Sequence, residues 1–273
     1  MGKNMTLRLS ERQYQILEWT GREDALSIDD LAQHFQLSTQ TIRKDINALC
    51  EIGMLRRVHG GVCLPSAIEN LSFSTRQVMN ARNKEGIAAL AARQIPEGST
   101  IFLGIGTSVG YVAKALLKHN DLRVLTNNLQ VAAILCKKPK IDTHVSGGKL
   151  RHSDHDLVGV ETIRFFDAFK ADFAIVGTGG LDPAFGMMDF KPDEAHVTQA
   201  ILENSRRKFL VADHSKWNRA ANVKVTPFQN LDLMVTDYLP ETLCSSSETN
   251  QLFASKLKVL ECRSDEQPPS FRL

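Results

Sequence analysis

Between Ser27 and Gly61 the apolar residues recur with a helical period, stop, recur again, and then give way to a short strand-like run. Ile28, Leu31, Ala32 and Phe35 stand at i, i+3, i+4 and i+7, one stripe of a helix that Ser27 and Asp30 can open as a capping box. Gln36-Leu37 interrupts the pattern, and Ser38 or Thr39 can cap the next helix. That helix is divided. Ile42, Ile46 and Leu49 point toward a core, while Gln40, Arg43, Lys44 and Asn47 repeat the same spacing on the opposite face. Upstream, Ser10 and Gln13 form a second capping box, opening a helix through Tyr14, Ile16, Leu17 and Trp19. Downstream, Gly53 is placed to end the divided helix, and Met54–Leu64 predicts a hairpin that turns at Gly60-Gly61 and carries Arg56, Arg57 and His59.

Gln, Arg, Lys and Asn are the side chains that bond purine edges and phosphates in the major groove, and a basic hairpin beside such a helix suits the backbone or minor groove. The expected DNA-binding set is Ser38, Thr39, Gln40, Thr41, Arg43, Lys44, Asn47, Arg56, Arg57 and His59. The competing reading is a helical subdomain with a solvated charged face. Residues 1–63 carry as many acids as bases, so local placement rather than a global field has to support DNA binding.

Beyond the hairpin the pattern changes. Ala67 to Asn83 has little period. A helix is predicted over Asn83–Gln94, and short apolar runs then alternate with helical ones. Strands are predicted at Thr100–Leu103, Leu122–Leu125, Asp142–Val145, Phe173–Val176, Phe209–Ala212, Leu233–Thr236 and Leu257–Leu260. Helices are predicted at Val109–Leu117, Leu129–Cys136 and Glu194–Asn204. Such alternation predicts a doubly wound, parallel α/β domain. The expected organisation is a winged helix-turn-helix at 1–64, a linker at 65–82, the α/β domain at 83–262 and a polar tail at 263–273.

The length of 273 residues suits one small and one ordinary domain, and the formal charge of +2 is nearly neutral. No apolar run approaches the roughly 18 residues of a membrane span, and the first residues lack a secretion signal. The five cysteines are odd in number and without CxxC spacing, which fits reduced thiols in a cytoplasmic protein.

Open α/β sheets bind ligands where strands turn into helices. The predicted strand ends carry Gly104–Gly110, Thr126-Asn127-Asn128, Gly147-Gly148-Lys149, Gly177–Gly180 and Ala212–Lys216. Glycines admit a phosphate to the backbone and a helix N-terminus favours it. Gly106, Thr107 and Ser108 are therefore expected to take a phosphate. Asn127, Asp213 or Glu194 are the candidates for the hydroxyls, with Lys216 neutralising the anion, and Thr126, Asn128, Gly147 and Gly148 complete the expected effector-binding set. Lys149 is a further candidate, although for it, Arg151 and Lys191 a solvated charge is an equal reading. The loop at 104–110 has neither the lysine of a Walker loop nor a complete dinucleotide fingerprint, and read alone it is as well a tight turn. The histidines show no metal-ligand spacing, so no metal and no cofactor are expected.

In its order of motifs the chain resembles the DeoR family of bacterial sugar-metabolism regulators over residues 8–240. The resemblance is carried by Ser38–Ile46, Leu55–Gly61, Gly106-Thr107-Ser108, Thr126-Asn127-Asn128, Gly147-Gly148 and Ala212–Lys216. It implies a winged helix-turn-helix, a sensor domain similar to ribose-5-phosphate isomerase, and no catalytic residues. The implied partners are a double-stranded DNA operator and a phosphorylated sugar or polyol such as glycerol 3-phosphate, acting on a homodimer or homotetramer. The chain departs from the family at Gly104, where an Asp capable of binding a hydroxyl is common, and at Ser108 and Lys44, which keep hydroxyl and charge. Three alternatives stand beside this reading. One is a sugar-phosphate isomerase with Asp213, Asp189 or Glu194 as base, one is a sensor of a non-phosphorylated sugar derivative, and one is a regulator whose second domain only oligomerises.

Overall fold

The computed structural model describes residues 9–21, 25–58, 60–64, 72–217, 219–239 and 256–262. The chain divides into two compact units, Met1–Asn80 and Ala81–Leu273.

In the first unit Ser10 caps α1 (Glu11–Thr20) through the reciprocal box, with the Gln13 N–H donating to Ser10 Oγ at 3.2 Å and the Ser10 N–H to Gln13 Oε1 at 3.0 Å. After β1 (Leu26–Ser27), Ser27 caps α2 (Ile28–His34), accepting the Asp30 N–H at 3.0 Å. The Asp30 carboxylate accepts the Ser27 hydroxyl at 2.6 Å, so this cap differs from the reciprocal one at Ser10. Gln36, at φ +52°, turns the chain into α3 (Thr39–Glu51), and Gly53, at φ +71°, stops it. The wing follows as β2 (Arg56–Val58) and β3 (Gly61–Cys63), an antiparallel pair to which β1 adds on the far side of β3. Gly61 fits between them because it has no side chain: a Cβ there would overlap the Leu26 carbonyl oxygen. Ile16, Leu17, Leu31, Ile42, Ile46, Leu49, Met54 and Val62 form the core. Of the span 65–82 expected as a linker, 65–71 lie outside the described residues and Phe73–Val78 is helical (α4), with Val78 packed on this core. Six residues are too few for a helical period to show in sequence.

The second unit begins with α5 (Ala81–Ala92), β4 (Thr100–Leu103), α6 (Thr107–Leu116), β5 (Leu122–Thr126), α7 (Leu129–Leu135) and β6 (Ile141–Val145). A hairpin of β7 (Lys149–Arg151) and β8 (Asp156–Val158) leads to α8 (Val160–Asp167) and β9 (Ala171–Val176). Then come β10 (Gly180–Asp182), β11 (Gly186–Asp189), α9 (Pro192–Glu203), β12 (Ser205–Val211), β13 (Val223–Thr226), β14 (Leu233–Thr236) and β15 (Lys258–Glu261). The main sheet has the order β15-β14-β12-β9-β4-β5-β6, with every neighbouring pair parallel. These are the seven strands that the apolar runs predict. The hairpin β7-β8 and the antiparallel trio β10-β11-β13 were not foreseen, because strands of three or four residues leave little pattern.

Alternation places two cores on the two faces of this sheet. Ile101, Leu103, Phe173, Ile175, Phe209, Val211, Leu233 and Val235 share one with Ile87, Val112 and Val131. Phe102, Ala174, Val176, Leu210 and Met234 share the other with Phe166, Ala195 and Ile201. Burial on both faces is why the strands read as unbroken apolar runs. The chain moves outward from β4 through β5 to β6, then crosses back to β9 on the other side of β4. The order therefore reverses between β4 and β9, and crevices at such points hold ligands in open α/β sheets.

Candidate DNA-binding face and effector site

On α3 the two faces separate as the spacing requires. Ile42, Ile46 and Leu49 are fully buried, and Gln40, Arg43, Lys44 and Asn47 are exposed. Ser38 and Thr41 are committed to the cap: Ser38 Oγ accepts the Thr41 N–H at 3.2 Å, and the two hydroxyls lie 2.9 Å apart in a hydrogen bond. Thr39 is half-buried. On the wing Arg56 and Arg57 are exposed, and the Arg57 guanidinium donates to the Asn47 amide oxygen, joining wing to helix. His59 lies outside the described residues. Asp45 was missed in sequence. It is buried, and accepts from Arg12 Nε at 2.6 Å and Gln13 Nε2 at 3.3 Å, which fixes the rotation of α3 against α1.

In the second unit the loops that follow β4, β5 and β9 meet at the switch point. Gly106, at φ +108°, precedes α6, and no side chain caps that helix. Thr107 and Ser108 begin it and are buried. Gly177, ending β9, approaches so closely that a Cβ would lie 3.1 Å from the Ile105 carbonyl oxygen. A side chain at 104 would be crowded by the second core: a Cβ there would meet Val176 Cγ1 at 3.3 Å and Ile201 Cδ1 at 3.6 Å. The carboxylate missing from Gly104 would thus start out against apolar carbons.

Thr126 and Asn128 correct the expectation of ligand-facing side chains. Both are fully buried and tied to backbone. Thr126 Oγ1 donates to the Leu103 carbonyl at 2.7 Å, while Asn128 Oδ1 accepts the Gln130 and Val131 N–H groups at 3.0 and 3.2 Å. Asn127 differs: its Nδ2 donates to the Leu157 carbonyl at 2.7 Å, but its buried Oδ1 has no partner. The Ser146 hydroxyl is likewise buried and unpartnered. Gly147, Gly148 and Lys149 are exposed.

The acids fall into two clusters. Arg151, expected as readily in solvent, is 9% exposed. It grips Asp156 with two bonds of 2.9 and 2.6 Å, donates to Glu194 and lies 3.4 Å from Asp154. Burial, then the neighbouring Asp189 carboxyl, pushes Glu194 up to about 9, against the pull of Arg151. Asp156 is the countercharge of Arg151, and burial beside Asp189 favours the protonated form of Glu194. Glu194 is thereby spent on structure rather than held out to a ligand.

The second cluster gathers at the ends of β12 and β14. Asp213 is buried beside Lys84, whose ammonium is 4.0 Å away and 3% exposed. Burial would raise the Asp213 carboxyl, but Lys84, Lys216 and a bond from Ser215 outweigh it and hold it below the usual carboxylate range. Next to it His214 Nδ1 bonds Asp237 Oδ2 at 2.5 Å, and Asn83 Nδ2 donates to the same oxygen at 2.6 Å. The His214 ring stacks on Tyr238 at 4.5 Å. Lys84 was visible in principle, since it stands with Ile87, Ala88 and Ala91 at i, i+3, i+4 and i+7, a cation on an apolar stripe. Asn83 and Asp237 carry no such mark. Among the described residues no group of three or more His, Cys, Asp or Glu is placed to hold a metal ion.

Residues 12–67 match the DeoR-like helix-turn-helix domain and residues 79–238 the DeoR C terminal sensor domain. The chain belongs to the DeoR family. It is 39% identical over 234 residues to the glycerol-3-phosphate regulon repressor of Escherichia coli (strain K12), covering 86% of this chain and 93% of that protein. It is 37% identical over 235 residues to the HTH-type transcriptional repressor CsqR of the same strain (86% and 90% covered). It is 31% identical over 229 residues to the transcriptional repressor AccR of Agrobacterium fabrum (strain C58 / ATCC 33970), with 83% and 89% covered. A solved ribose 5-phosphate isomerase A from Methanocaldococcus jannaschii is similar over 51% of this chain and 56% of its own, at 13% identity and a TM-score of 0.38. In this DeoR-family chain α3 thus lies in the helix-turn-helix domain, and the strand-end clusters lie in the sensor domain. Among the described residues no helix is long and apolar enough to cross a membrane.

Proposed function

We propose that this DeoR-family protein is a cytoplasmic repressor of carbohydrate or polyol catabolism that leaves its operator when a phosphorylated sugar or polyol binds the sensor domain. The observation that carries the reading is the divided surface of α3, apolar side chains fully buried and Gln40, Arg43, Lys44 and Asn47 all exposed. Arg43 and Gln40 read base edges, and Thr39, Lys44, Arg56 and Arg57 hold phosphates. Asn47 acts jointly with Arg57.

In the sensor domain the uncapped N-terminus of α6 with Gly106, Thr107 and Ser108 takes the phosphate. Lys216 and Lys84 balance its charge, and Asn127, through its unpartnered Oδ1, and Asp213 take hydroxyls. Gly147, Gly148 and Lys149 border the site, while Thr126, Asn128 and Glu194 shape it from behind. The name of the Escherichia coli relative makes glycerol 3-phosphate the first effector to try. The protein is read as a binder and not an enzyme. Isomerisation needs a carboxylate base poised at the acidic carbon, and Glu194 is clamped by Arg151. A homodimer or homotetramer suits paired operator half-sites.

The test is operator binding across a salt series, repeated with a panel of phosphorylated polyols and sugars and paired with thermal shifts. Salt-dependent binding to one operator, released by one compound that also raises the melting temperature, is expected. Turnover of ribose 5-phosphate without operator binding would overturn the reading.

A further inference from the structure

The contacts of Asn83 and Lys84 place the start of α5 between the effector cluster and the chain that leads to the DNA-binding unit. The unit boundary falls at Asn80/Ala81, and Ala81 is the first residue of α5. Asn80 has a positive φ of +53°, so the helix begins abruptly after it. Three residues after Asn80, Asn83 Nδ2 donates to Asp237 Oδ2 at 2.6 Å. The adjacent Lys84 lies 4.0 Å from Asp213.

Asp237 is a hub. Besides Asn83 and the His214 ring, it accepts the His214 N–H at 2.8 Å and the Tyr238 N–H at 2.9 Å. The loop that carries Asp213, His214 and Lys216 is therefore bonded, through one carboxylate, to the first turn of the helix that enters the sensor domain. One turn deeper the same helix is held by packing: a Cβ at Gly86 would meet Cys262 Sγ at 2.9 Å. The same thiol donates to the Asn83 carbonyl at 3.8 Å, so the backbone of the first turn is anchored at Cys262 while the Asn83 side chain reaches the effector loop.

We propose that Asn83 is a positioning residue for regulation: through Asp237 it ties the first turn of α5 to the effector loop, and that tie carries effector binding to the DNA-binding unit. The inference rests on the effector site proposed above. An anion arriving at Lys84 and Lys216 competes with Asp213 for their charge. The loop then resettles, and the Asn83–Asp237 bond moves the helix start with it. Asn83 itself touches neither effector nor DNA in this scheme. Coupling between sites is a difference between two states of such an element.

The experiment uses full-length protein. Operator affinity is measured with and without glycerol 3-phosphate, alongside calorimetric affinity for glycerol 3-phosphate and the melting temperature. In the unsubstituted protein the effector is expected to weaken operator binding by about 5–150-fold, the usual range of allosteric coupling. In Asn83→Ala, operator affinity and effector affinity stay within about threefold while that coupling collapses toward one. Asn83→Asp, which sets a second carboxylate against Asp237, gives the same loss without a change of size. Hydrogen exchange of amides 81–85 should respond to effector in the unsubstituted protein and not in the variants. Coupling retained in a folded Asn83 variant overturns the inference alone. A parent protein that binds operator but answers to no phosphorylated compound overturns the effector reading and the inference with it.

Discussion

The DNA-binding unit and the sensor unit handle charge in opposite ways. On α3 and the wing, Arg43, Lys44, Arg56 and Arg57 stand in solvent. In the sensor, Lys84 and Asp213 are buried almost completely, and Arg151 is enclosed by Asp154, Asp156 and Glu194. An exposed cation costs the fold little and is available to a polyanion. A buried one must be answered within the protein, so any ligand that reaches it has to displace or join an existing partner. The first arrangement suits recognition whose strength follows salt, the second a sensor that reorganises on binding.

The comparison can be broken most sharply at Asp213. Asp213→Ala removes the carboxylate beside buried Lys84 and should cost about 3–5 kcal/mol of stability, as when one half of a buried pair is lost. A denaturation midpoint within error of the parent would mean that this charge does not need its answer. Arg43→Ala is the counterpart on the exposed side. It should weaken operator binding by about 1–3 kcal/mol and relax sequence preference, leaving the melting temperature unchanged. Unaltered affinity would remove Arg43 from the reading surface.

Glu194 sharpens the contrast through pH. Its folded value near 9 stands above the ordinary 4.5. Between those values the unfolded chain ionises first, so stability present in acid is lost as pH rises, by at most about 1.4 kcal/mol per unit. Glu194→Gln should flatten that profile, and an unchanged slope in urea melts across pH 5–9 would assign it elsewhere. Ser38→Ala should cost about 1 kcal/mol through loss of the α3 cap, read as a shift in midpoint for the isolated fold transition of the first unit. The smallest effect is at Lys44. Lys44→Ala should lower the slope of log affinity against log salt by about 1, equally on all sequences.

What could be read ahead of the structure follows from the same contrast. The recognition face repeats within one helix, so local spacing displays it. The seven strands of the main sheet showed as apolar runs because both of their faces are buried. Lys84 and Asp213, Arg151 and Glu194, and Asn83 and Asp237 are brought together from distant stretches of chain by the sheet order, which no local pattern encodes. Strand-end position and polar side chains nominate Thr126 and Asn128 as ligand contacts, and residue type nominates Glu194. The structure uses Thr126 and Asn128, at the end of β5, to tie backbone and Glu194, in the first turn of α9, to answer Arg151, since the same polar atoms serve either purpose.

Gly61 has a consequence for how the first unit can be altered. Strand β3 lies between β1, which leads into the helix-turn-helix, and β2, which bears Arg56 and Arg57. With no room for even one carbon against Leu26, alanine at this position would act as a wedge between β3 and β1, prying the hairpin that bears Arg56 and Arg57 away from the strand that leads into α2. A single methyl group would thereby displace the wing while leaving every exposed side chain of α3 chemically intact.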